Sequence, residues 1–376
     1  MFNPRNYSAK EIDAALRMKG NSRKISFRYD LLNRNDIRIG TLDGITSATV
    51  SYGEFRQICR SATFKMNEYA QKNINFLSDQ IQPFFILHMP DGIGTVEFSL
   101  GIFLPESPSR SIKGGVSNRE IGTYDKTIII EQDKFTKRHF IEAGTNYVAA
   151  ITRILNEAGI TKINIAESPY ELSADREYPI GMKKHEVVND LLKAINFTSI
   201  RVDEMGFMRS EPYVVPSLRQ ITHTYNANKD SIVHPEFTEE LDIAGRANVF
   251  TRVAINIESD KELVSTFIND DIRSPISTVG RGRQIVDFEE ISNISNQDAL
   301  DGFVRRIAIE STSAYSKLSF GTALMPTHGS AETLLCIFPD IFDAPQKFSE
   351  TSWEMPLRFD GVMSHEARKV VFIDGK

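Results

Sequence analysis

Cysteine is scarce in this chain of 376 residues, which contains only Cys59 and Cys336. Two cysteines so far apart in sequence cannot form a framework of several disulfides, and neither belongs to a CxxC pair that could hold zinc. We therefore expect two reduced thiols that are buried in the core.

Long hydrophobic runs and an excess of basic charge are also absent. No apolar segment approaches the roughly 18–20 residues that a bilayer-spanning helix needs, and residues 1–19 are too polar for a signal peptide. The formal net charge is −6 and the pI is about 5.8. Because nucleic acids are held mainly by basic side chains on their phosphates, this balance argues against a nucleic-acid-binding protein. We expect a soluble protein with no membrane partner.

The sequence motifs of the common enzyme classes are missing as well. There is no P-loop, no G-x-S-x-G nucleophile elbow and no H-E-x-x-H zinc motif. Residues 92–94 look like the opening of a dinucleotide fingerprint, but that motif opens a helix, and these residues open a strand. Among the seven histidines, His223 and His234 lie near acidic residues, yet solvated loop histidines explain them more simply than a metal site. The sequence therefore predicts no catalytic, cofactor-binding or metal-binding residue.

The chain does have the composition of an ordinary folded protein, with 41% hydrophobic and 25% charged residues. Its length predicts two or three domains. The spacing of apolar residues divides it into a helical arm, a first β-rich region, an α+β unit, and a second β-rich region with one inserted helix. Their predicted boundaries are 1–20, 21–136, 137–210 and 211–376, respectively.

The first half of the sequence predicts an arm followed by strands. Ser8 with Glu11 three residues later is typical of a helix capping box. Residues 84–104 predict a β-hairpin with a turn at 91–94, and residues 124–131 predict another strand. Several strands and almost no helix indicate an antiparallel sheet that curls into a barrel.

Helical spacing appears in the middle of the chain, and strand alternation then returns. Residues 145–158 and 182–196 each have one apolar helical face. Alternation resumes at 253–257, and a later helix is predicted to begin near Asn296 with Ser295 as its cap. Because both β-rich regions alternate in the same way, we predict two related antiparallel barrels joined by the small α+β unit.

One loop in the second β-rich region is the most distinctive polar feature. It contains Ser274, Pro275 and two arginines, Arg281 and Arg283, on either side of a glycine. Guanidinium groups so placed can grip phosphates or carboxylates. Because the whole chain is acidic, we favour contacts within the protein, with another subunit or with a partner over contacts with nucleic acid.

The order of these motifs resembles that of the baseplate hub, or tail-associated structural, proteins of long-tailed phages of Gram-positive bacteria, with relatives in prophages and phage-tail-like bacteriocins. No single motif is specific, and the ordered series carries the resemblance over about residues 20–373. The matching segments are residues 28–32, 39–44, 58–64, 82–85, 97–104, 143–148, 158–160, 189–192, 195–196, 212–216, 274–278, 280–281 and the stretch around Trp353.

The resemblance implies a structural protein rather than an enzyme. Such hubs form a homotrimer whose six barrel domains surround a channel, which adapts the sixfold tail tube to a threefold tip. The implied partners are a distal tail or tube protein above, a tail-tip, fibre or tape-measure protein below, and DNA that passes through without specific binding. The implied location is the tail tip of a virion or tail-like particle made in a bacterial cytoplasm.

Two other functions stay open at this point. A tail-associated cell-wall hydrolase would need its catalytic groups from scattered histidines and acidic residues, although no motif supports it. A carbohydrate-binding adhesion module would depend on surface aromatic residues such as Tyr170, Tyr178 and Trp353.

Overall fold

The computed structural model describes residues 1–18, 22–67, 74–228, 231–256, 261–291, 294 and 296–371. Within those ranges the chain has 22 strands and six helices. None of the described helices is both long and apolar enough to cross a membrane. The predicted fold class, a β-rich fold with mostly antiparallel sheets and few helices, is confirmed.

The strands and helices fall into three groups along the chain. The first β-rich region contains α1 (Ala9–Leu16), β1 (Lys24–Leu32), β2 (Arg38–Thr41), β3 (Ile45–Gly53), β4 (Arg60–Asn67), β5 (Gln80–His88), β6 (Thr95–Ser99), β7 (Leu104–Lys113) and β8 (Val116–Tyr124). The middle contains α2 (Thr127–Gln132), β9 (His139–Ile141), α3 (Tyr147–Glu157), β10 (Ile163–Ile165), β11 (Arg176–Tyr178), α4 (Lys184–Ala194), β12 (Arg201–Val202) and β13 (Met208–Ser210). The remainder contains β14 (His223–Asn226), β15 (Val233–Leu241), β16 (Val249–Asn256), β17 (Lys261–Ile268), α5 (Thr278–Arg281), β18 (Val286–Ile291), α6 (Gln297–Ser313), β19 (Ser316–Ala323), β20 (Thr333–Ile337), β21 (Gln346–Pro356) and β22 (Val362–Lys369).

The N-terminal arm packs on its own chain. The capping box predicted for α1 is confirmed, since the Ser8 hydroxyl accepts from the Glu11 amide and the Glu11 carboxylate accepts from the Ser8 amide. One face of the helix, which includes Ile12 and Leu16, is buried in the large core shared by the β-rich regions. Arg17 also donates to the carbonyl oxygen of Thr224. These contacts fasten the arm to the second β-rich region.

Both β-rich regions contribute to a single ten-stranded sheet. Eight of its strands follow the order β15-β19-β22-β21-β3-β4-β8-β7, in which every neighbouring pair is antiparallel. The β21–β3 pair joins the two regions, and one hydrophobic core includes side chains from both. A four-stranded sheet, β2-β1-β5-β6, contributes further side chains to that core.

The ten-stranded sheet contains the same four-strand unit twice. In the first β-rich region β3, β4, β7 and β8 lie in the order first, second, fourth, third. In the second region β15, β19, β21 and β22 lie in that order too, read in the same direction along the sheet. Because all the pairs are antiparallel, corresponding strands also point the same way. This repeat supports the predicted relationship between the two regions, whose domain boundaries stay a prediction.

Two sequence predictions in the first region need correction. Residues 84–104 do contain the predicted hairpin, with Phe84 opposite Ser99, but its second strand ends at Ser99. Gly101 has a φ of 137° and breaks the alternation, so Leu104 begins β7. The strand predicted at 124–131 is wrong beyond Tyr124, because those residues form α2.

The physical reason for α2 is a buried aspartate at the end of β8. The Asp125 carboxylate accepts from the amides of Thr127 and Arg60, at 2.8 and 3.0 Å, which ends the strand and begins a helical turn. The turn carries Ile130 into the core of the middle unit, where it is fully buried. A run of isoleucines at this position therefore serves helix packing rather than a strand.

The middle unit contains both helices that the sequence predicted for it. Asn146 caps α3 by accepting from the amides of Val148 and Ala149, and Gly159 ends it with a φ of 81°. α3 and α4 pack with the short strands around a separate core that extends from Ile130 to Met208. The two predicted helices are thus confirmed.

The second β-rich region contains more than the one inserted helix that the sequence predicted. β16, β17 and β18 form a separate three-stranded sheet, and α6 packs on one face of it around a third core. The predicted helix is confirmed as α6, and its cap is Asn296, whose side chain accepts from the Ala299 amide at 2.9 Å. Ser295, which the sequence favoured, lies outside the described residues.

A hydrogen-bonded network of charged and polar side chains is buried in the core of the second region. Glu350 accepts from Nδ1 of His328 and Nδ1 of His365, both at 2.6 Å. Nε2 of His328 bonds to the Tyr225 hydroxyl at 2.6 Å, and Nε2 of His365 bonds to the Thr322 hydroxyl at 2.8 Å. Because an ionised carboxylate only accepts, both Nδ1 atoms carry protons. Burial alone would raise the pKa of Glu350, but the two imidazoles hold it down to about 2.

His223 extends this network without joining its hydrogen bonds. Its ring stacks on that of His328 with centroids 4.0 Å apart, and its Nε2 lies 3.8 Å from a carboxylate oxygen of Glu332. Burial, reinforced by the neighbouring His328, lowers the pKa of His223 to about 3. The folded protein therefore holds His223 neutral.

We predict that His223 makes the fold sensitive to mild acid. Its pKa is lower in the folded chain than its ordinary value of 6.5, so its contribution is fully present above pH 6.5 and is lost as pH falls towards 3. The loss amounts to at most about 5 kcal/mol. His223→Phe keeps a stacked ring that cannot be protonated, so its free energy of unfolding should fall less between pH 6.5 and 4.5 than that of the parent. Urea unfolding across that range measures the difference.

The matched control is His88→Phe, which alters an exposed histidine on β5. Glu350 contributes to acid sensitivity only at lower pH, because its own stabilisation is lost between its ordinary pKa of 4.5 and about 2. An identical pH slope for His223→Phe and the parent would contradict the prediction.

Candidate assembly surface

The loop that carries the predicted contact residues is built on a buried asparagine. Asn248, at the start of β16, donates to the carbonyl oxygens of Ile276 and Arg283 at 3.2 and 3.0 Å, and its own side-chain oxygen accepts from the Ile285 amide at 2.8 Å. Ser277 caps the single turn of α5 by accepting from the Gly280 amide. The loop is therefore held in one shape from within.

The four predicted contact residues lie in this loop but play different structural parts. Ser274 is buried, and its hydroxyl accepts from the side chain of Asn269 at 3.1 Å. Pro275 and Arg283 are exposed, whereas Arg281 is half-buried and donates to the carbonyl oxygen of Ile243. Ser274 thus shapes the loop, and the other three residues are near solvent. Their contact with a subunit or partner stays a prediction.

Exposed apolar side chains surround the same loop, and sequence reasoning missed them. Ile272 is 83% exposed and Val279 is 58% exposed. The outer face of the β16–β18 sheet, opposite α6, adds Val264, Val286 and Phe288. The alternation of Val286 and Phe288 was the available signal, but acidic neighbours obscured it. Exposed apolar side chains gathered in this way are typical of a surface that another protein covers.

The two end strands of the eight-strand run, β7 and β15, form the second candidate surface, because neither pairs with a further strand among the described residues. β15 carries exposed Glu236 and Glu240, and β7 at the opposite edge carries exposed Arg110. Prolines in both strands, such as Pro108 and Pro235, remove amide donors and limit which residues can pair with another chain. The edges are thus of opposite charge and allow only restricted pairing.

The histidine pair considered for a metal site is not brought together. His223 is buried beside His328, whereas His234 is exposed on β15. A group that could hold a metal ion is instead His328, Glu350 and His365, whose ligand atoms lie within 4.8 Å of one another. Their atoms are engaged in the hydrogen bonds described above. Those hydrogen bonds explain the arrangement without a metal ion. Glu350 and His365 come from β21 and β22, and His328 comes from the loop between β19 and β20, so their sequence spacing gave no signal.

The two cysteines are buried as predicted and form no disulfide. Burial raises the pKa of Cys59 to about 12 and raises that of Cys336 further. Neither thiol is available for chemistry at neutral pH. Trp353 and Tyr178, two of the aromatic residues considered for carbohydrate binding, are also buried.

Comparisons with known proteins identify the fold. No protein-family model and no curated protein matches the chain. Solved structures do match: a tail protein from Neisseria meningitidis has a TM-score of 0.66 and 8% identity, covering 92% of this chain and 96% of its own. The 43 kDa tail protein of prophage MuSo2 from Shewanella oneidensis has a TM-score of 0.61 and 11% identity, covering 91% and 98%. The prophage tail protein gp18 from Listeria monocytogenes has a TM-score of 0.57 and 10% identity, covering 91% and 94%. At such low identity the likeness establishes the fold alone, and over nearly its whole length this chain is folded like these three tail proteins.

Proposed function

We propose that the chain is a non-enzymatic structural protein of a phage-type tail, a baseplate hub that assembles as a closed ring of three copies around the DNA conduit. The observation that carries this proposal is the repeated four-strand unit of the ten-stranded sheet. The likeness of fold to three tail proteins over nearly their full length supports the same setting. We also propose that the chain is related to the hubs of long-tailed phages of Gram-positive bacteria, as the order of its sequence motifs suggests.

The repeat supplies a template for contact between copies. Within one chain, β21 at the end of one unit pairs antiparallel with β3 at the start of the next. The two end strands, β7 and β15, are the corresponding end and start. β7 of one copy can therefore pair with β15 of the next copy as β21 pairs with β3. Two different edges in contact make a heterologous interface, which closes into a ring when the rotation between copies allows it.

The charges of the edges favour the same contact. Glu239 and Glu240 make the β15 edge acidic, whereas Arg110 and Arg119 make the β7–β8 hairpin basic. A register that places Ser111 opposite Thr238 puts Arg110 opposite Glu239. Opposite charges across strands stabilise pairing, and like charges oppose the alternatives of β7 with β7 or β15 with β15. A ring of three copies then contains six similar units, which accounts for how a threefold hub could meet a sixfold tube.

The proposed partners are a distal tail or tube protein above and a tail-tip, fibre or tape-measure protein below. The loop with Pro275, Arg281 and Arg283 and the apolar side chains beside it form a candidate contact for one of them. DNA would pass through the channel without specific binding, and the net charge of −6 is compatible with a channel wall that does not hold it. The location would be the tail tip of a virion or tail-like particle.

Cysteine cross-linking between the edges tests the ring. Both native thiols are buried, so Ser111→Cys on β7 and Thr238→Cys on β15 would introduce the reactive pair. A disulfide forms only where Cα atoms come within about 7 Å. Oxidised particles, or the chain incubated with its neighbouring tail proteins, should give a ladder on non-reducing gels that ends at three times 42.5 kDa. Placing the first cysteine at Ser109 instead of Ser111 tests a register that is shifted by two residues.

The controls are the single variants and their mixture. Neither single variant should cross-link, and an equal mixture of the two should stop at dimers because each copy then offers one thiol. A ladder that continues beyond three copies, or no cross-link in intact particles for either register, would contradict the proposed ring.

We predict that the arginine loop acts in assembly rather than in DNA binding. Arg283→Ala removes an exposed charge, and Arg281→Ala also removes the internal bond to Ile243. The double variant should reduce incorporation into particles several-fold, while fluorescence anisotropy shows the same weak DNA binding as the parent. Arg358→Ala, at another exposed site, is the matched control. Normal assembly with lost DNA binding would instead make the loop a nucleic-acid clamp.

The chain should release no fragments from purified peptidoglycan, with or without zinc. Its described histidines that come together are already engaged with Glu350, Tyr225 and Thr322 in the core. Soluble fragments measured by chromatography should match a buffer blank. Zinc-dependent release that disappears in Glu350→Gln would establish a hydrolase and overturn the structural assignment.

A further inference from the structure

A polar cleft of about 370 Å³ lies where the separate units of the chain meet. The turn after β3 contributes one wall, and the middle unit contributes a second. The connector before β14 and helix α6 complete it. The side chains that matter for its chemistry are Glu54, Arg201, Tyr213, Arg219, Arg306 and Glu310.

The cleft has more positive than negative groups. Arg306 is paired with Glu310, and Arg201 is paired with Glu211 outside the cleft. Arg219 has no ion pair within 4.0 Å among the described residues, and it shares the cleft with the single carboxylate of Glu54. Arg368 lies beside Glu54 in the adjoining cavity and likewise has no ion pair with any residue that the structure describes. Arg56 also lines the cleft, so Arg56, Arg219 and Arg368 stand against one carboxylate, which leaves an excess of two positive charges.

Several donors in the walls have no acceptor in the described part of the protein. Arg219 uses one of its five N–H groups, from Nε to the carbonyl oxygen of Val214 at 2.9 Å. Its Nη1, together with Nε of Arg201 and the hydroxyl of Tyr213, is buried without a hydrogen-bond partner in the described structure. A buried donor without an acceptor costs about 1–3 kcal/mol, so three together at one cleft call for an acceptor.

Glu54 does not supply that acceptor. Its carboxylate makes no hydrogen bond or ion pair within the part of the chain that the structure describes, although Arg219, Arg201 and Arg306 are close enough to influence its charge. Burial raises the pKa of Glu54, and the nearby guanidinium groups offset part of that rise.

We propose that this cleft binds a small oxyanion, a phosphate-type ion or a small carboxylate, with Arg219 as its main ligand and Arg201 and Tyr213 as further donors. Guanidinium groups bind such oxygens through paired N–H donors. Because the walls come from the first β-rich region, the middle unit, the connector and α6, a bound anion would tie these parts together. The proposal is independent of the ring, since it concerns one chain.

Titration calorimetry of the full chain with inorganic phosphate and with citrate tests it, with chloride matching the ionic strength. We expect saturable binding of at least one anion, and the stronger of the two shows whether tetrahedral or carboxylate chemistry is preferred. Arg219→Gln should weaken binding about tenfold through the loss of a charge-assisted hydrogen bond. Glu54→Gln should strengthen it several-fold through the loss of repulsion.

The matched control is Arg138→Gln, which removes an exposed arginine of the middle unit and should leave binding unchanged. Tyr213→Phe removes a hydroxyl that bonds to nothing in the described part of the protein, so it should weaken anion binding without destabilising the empty chain. If Arg219→Gln fails to fold, the affinities of Glu54→Gln and Tyr213→Phe still test the proposal. No saturable binding of either anion, or equal affinities for Glu54→Gln, Tyr213→Phe and the parent, would overturn the proposal.

Discussion

The antiparallel pairing of β21 with β3 is the contact on which the rest of the architecture depends. Five residue pairs, from Ser352 with Gly53 to Pro356 with Thr49, join two units that are far apart in sequence. The rings of Trp353 and Tyr52 stack across this junction with centroids 6.0 Å apart. A slip of one residue would put the two rings on opposite faces of the sheet, so their burial on the same face fixes the register. The relative placement of the two units follows from that register.

The other units are attached around this junction by buried polar contacts. Asp36, in the turn before β2, accepts from Lys126 at the start of α2 and from Lys162 before β10. Both lysines belong to the middle unit, so one aspartate holds that unit against the first β-rich region. α6 makes a similar connection, since Arg306 donates to the carbonyl oxygen of Phe197 at 2.9 Å. Arg306 also lines the polar cleft, which therefore lies beside this second attachment.

Local features of this fold could be predicted from the sequence, and long-range ones could not. The Ser8–Glu11 capping box and the helices around residues 147–157 and 184–194 depend on neighbours within a few positions. The β21–β3 junction depends on residues about 300 positions apart, for which periodicity carries no information. The alternation at 253–257 predicted β16, but β17 and β18 were missed because apolar residues such as Val264 and Phe288 lie on the exposed face and reduce the contrast between the two faces. The same distinction applies to the candidate contact loop. Its glycine and arginine residues identified the loop in the sequence, but only the packing shows that Ser274 points inward.

The repeated sheet also explains where this chain can vary. In the proposed ring, β15 takes the place of β3 and β7 takes the place of β21. The sequences of these four strands can therefore vary little. The additional units lie between them: the middle unit follows β8, and the β16–β18 sheet with α6 separates β15 from β19. Insertions at these points leave the order and direction of the ladder unchanged, because the chain continues with a later strand of the same sheet. The arginine loop belongs to such an insertion, and the anion cleft lies where insertions meet the sheet. The strands that would form the ring are therefore the most restricted in sequence. The inserted segments around them are free to carry the arginine loop and the polar cleft.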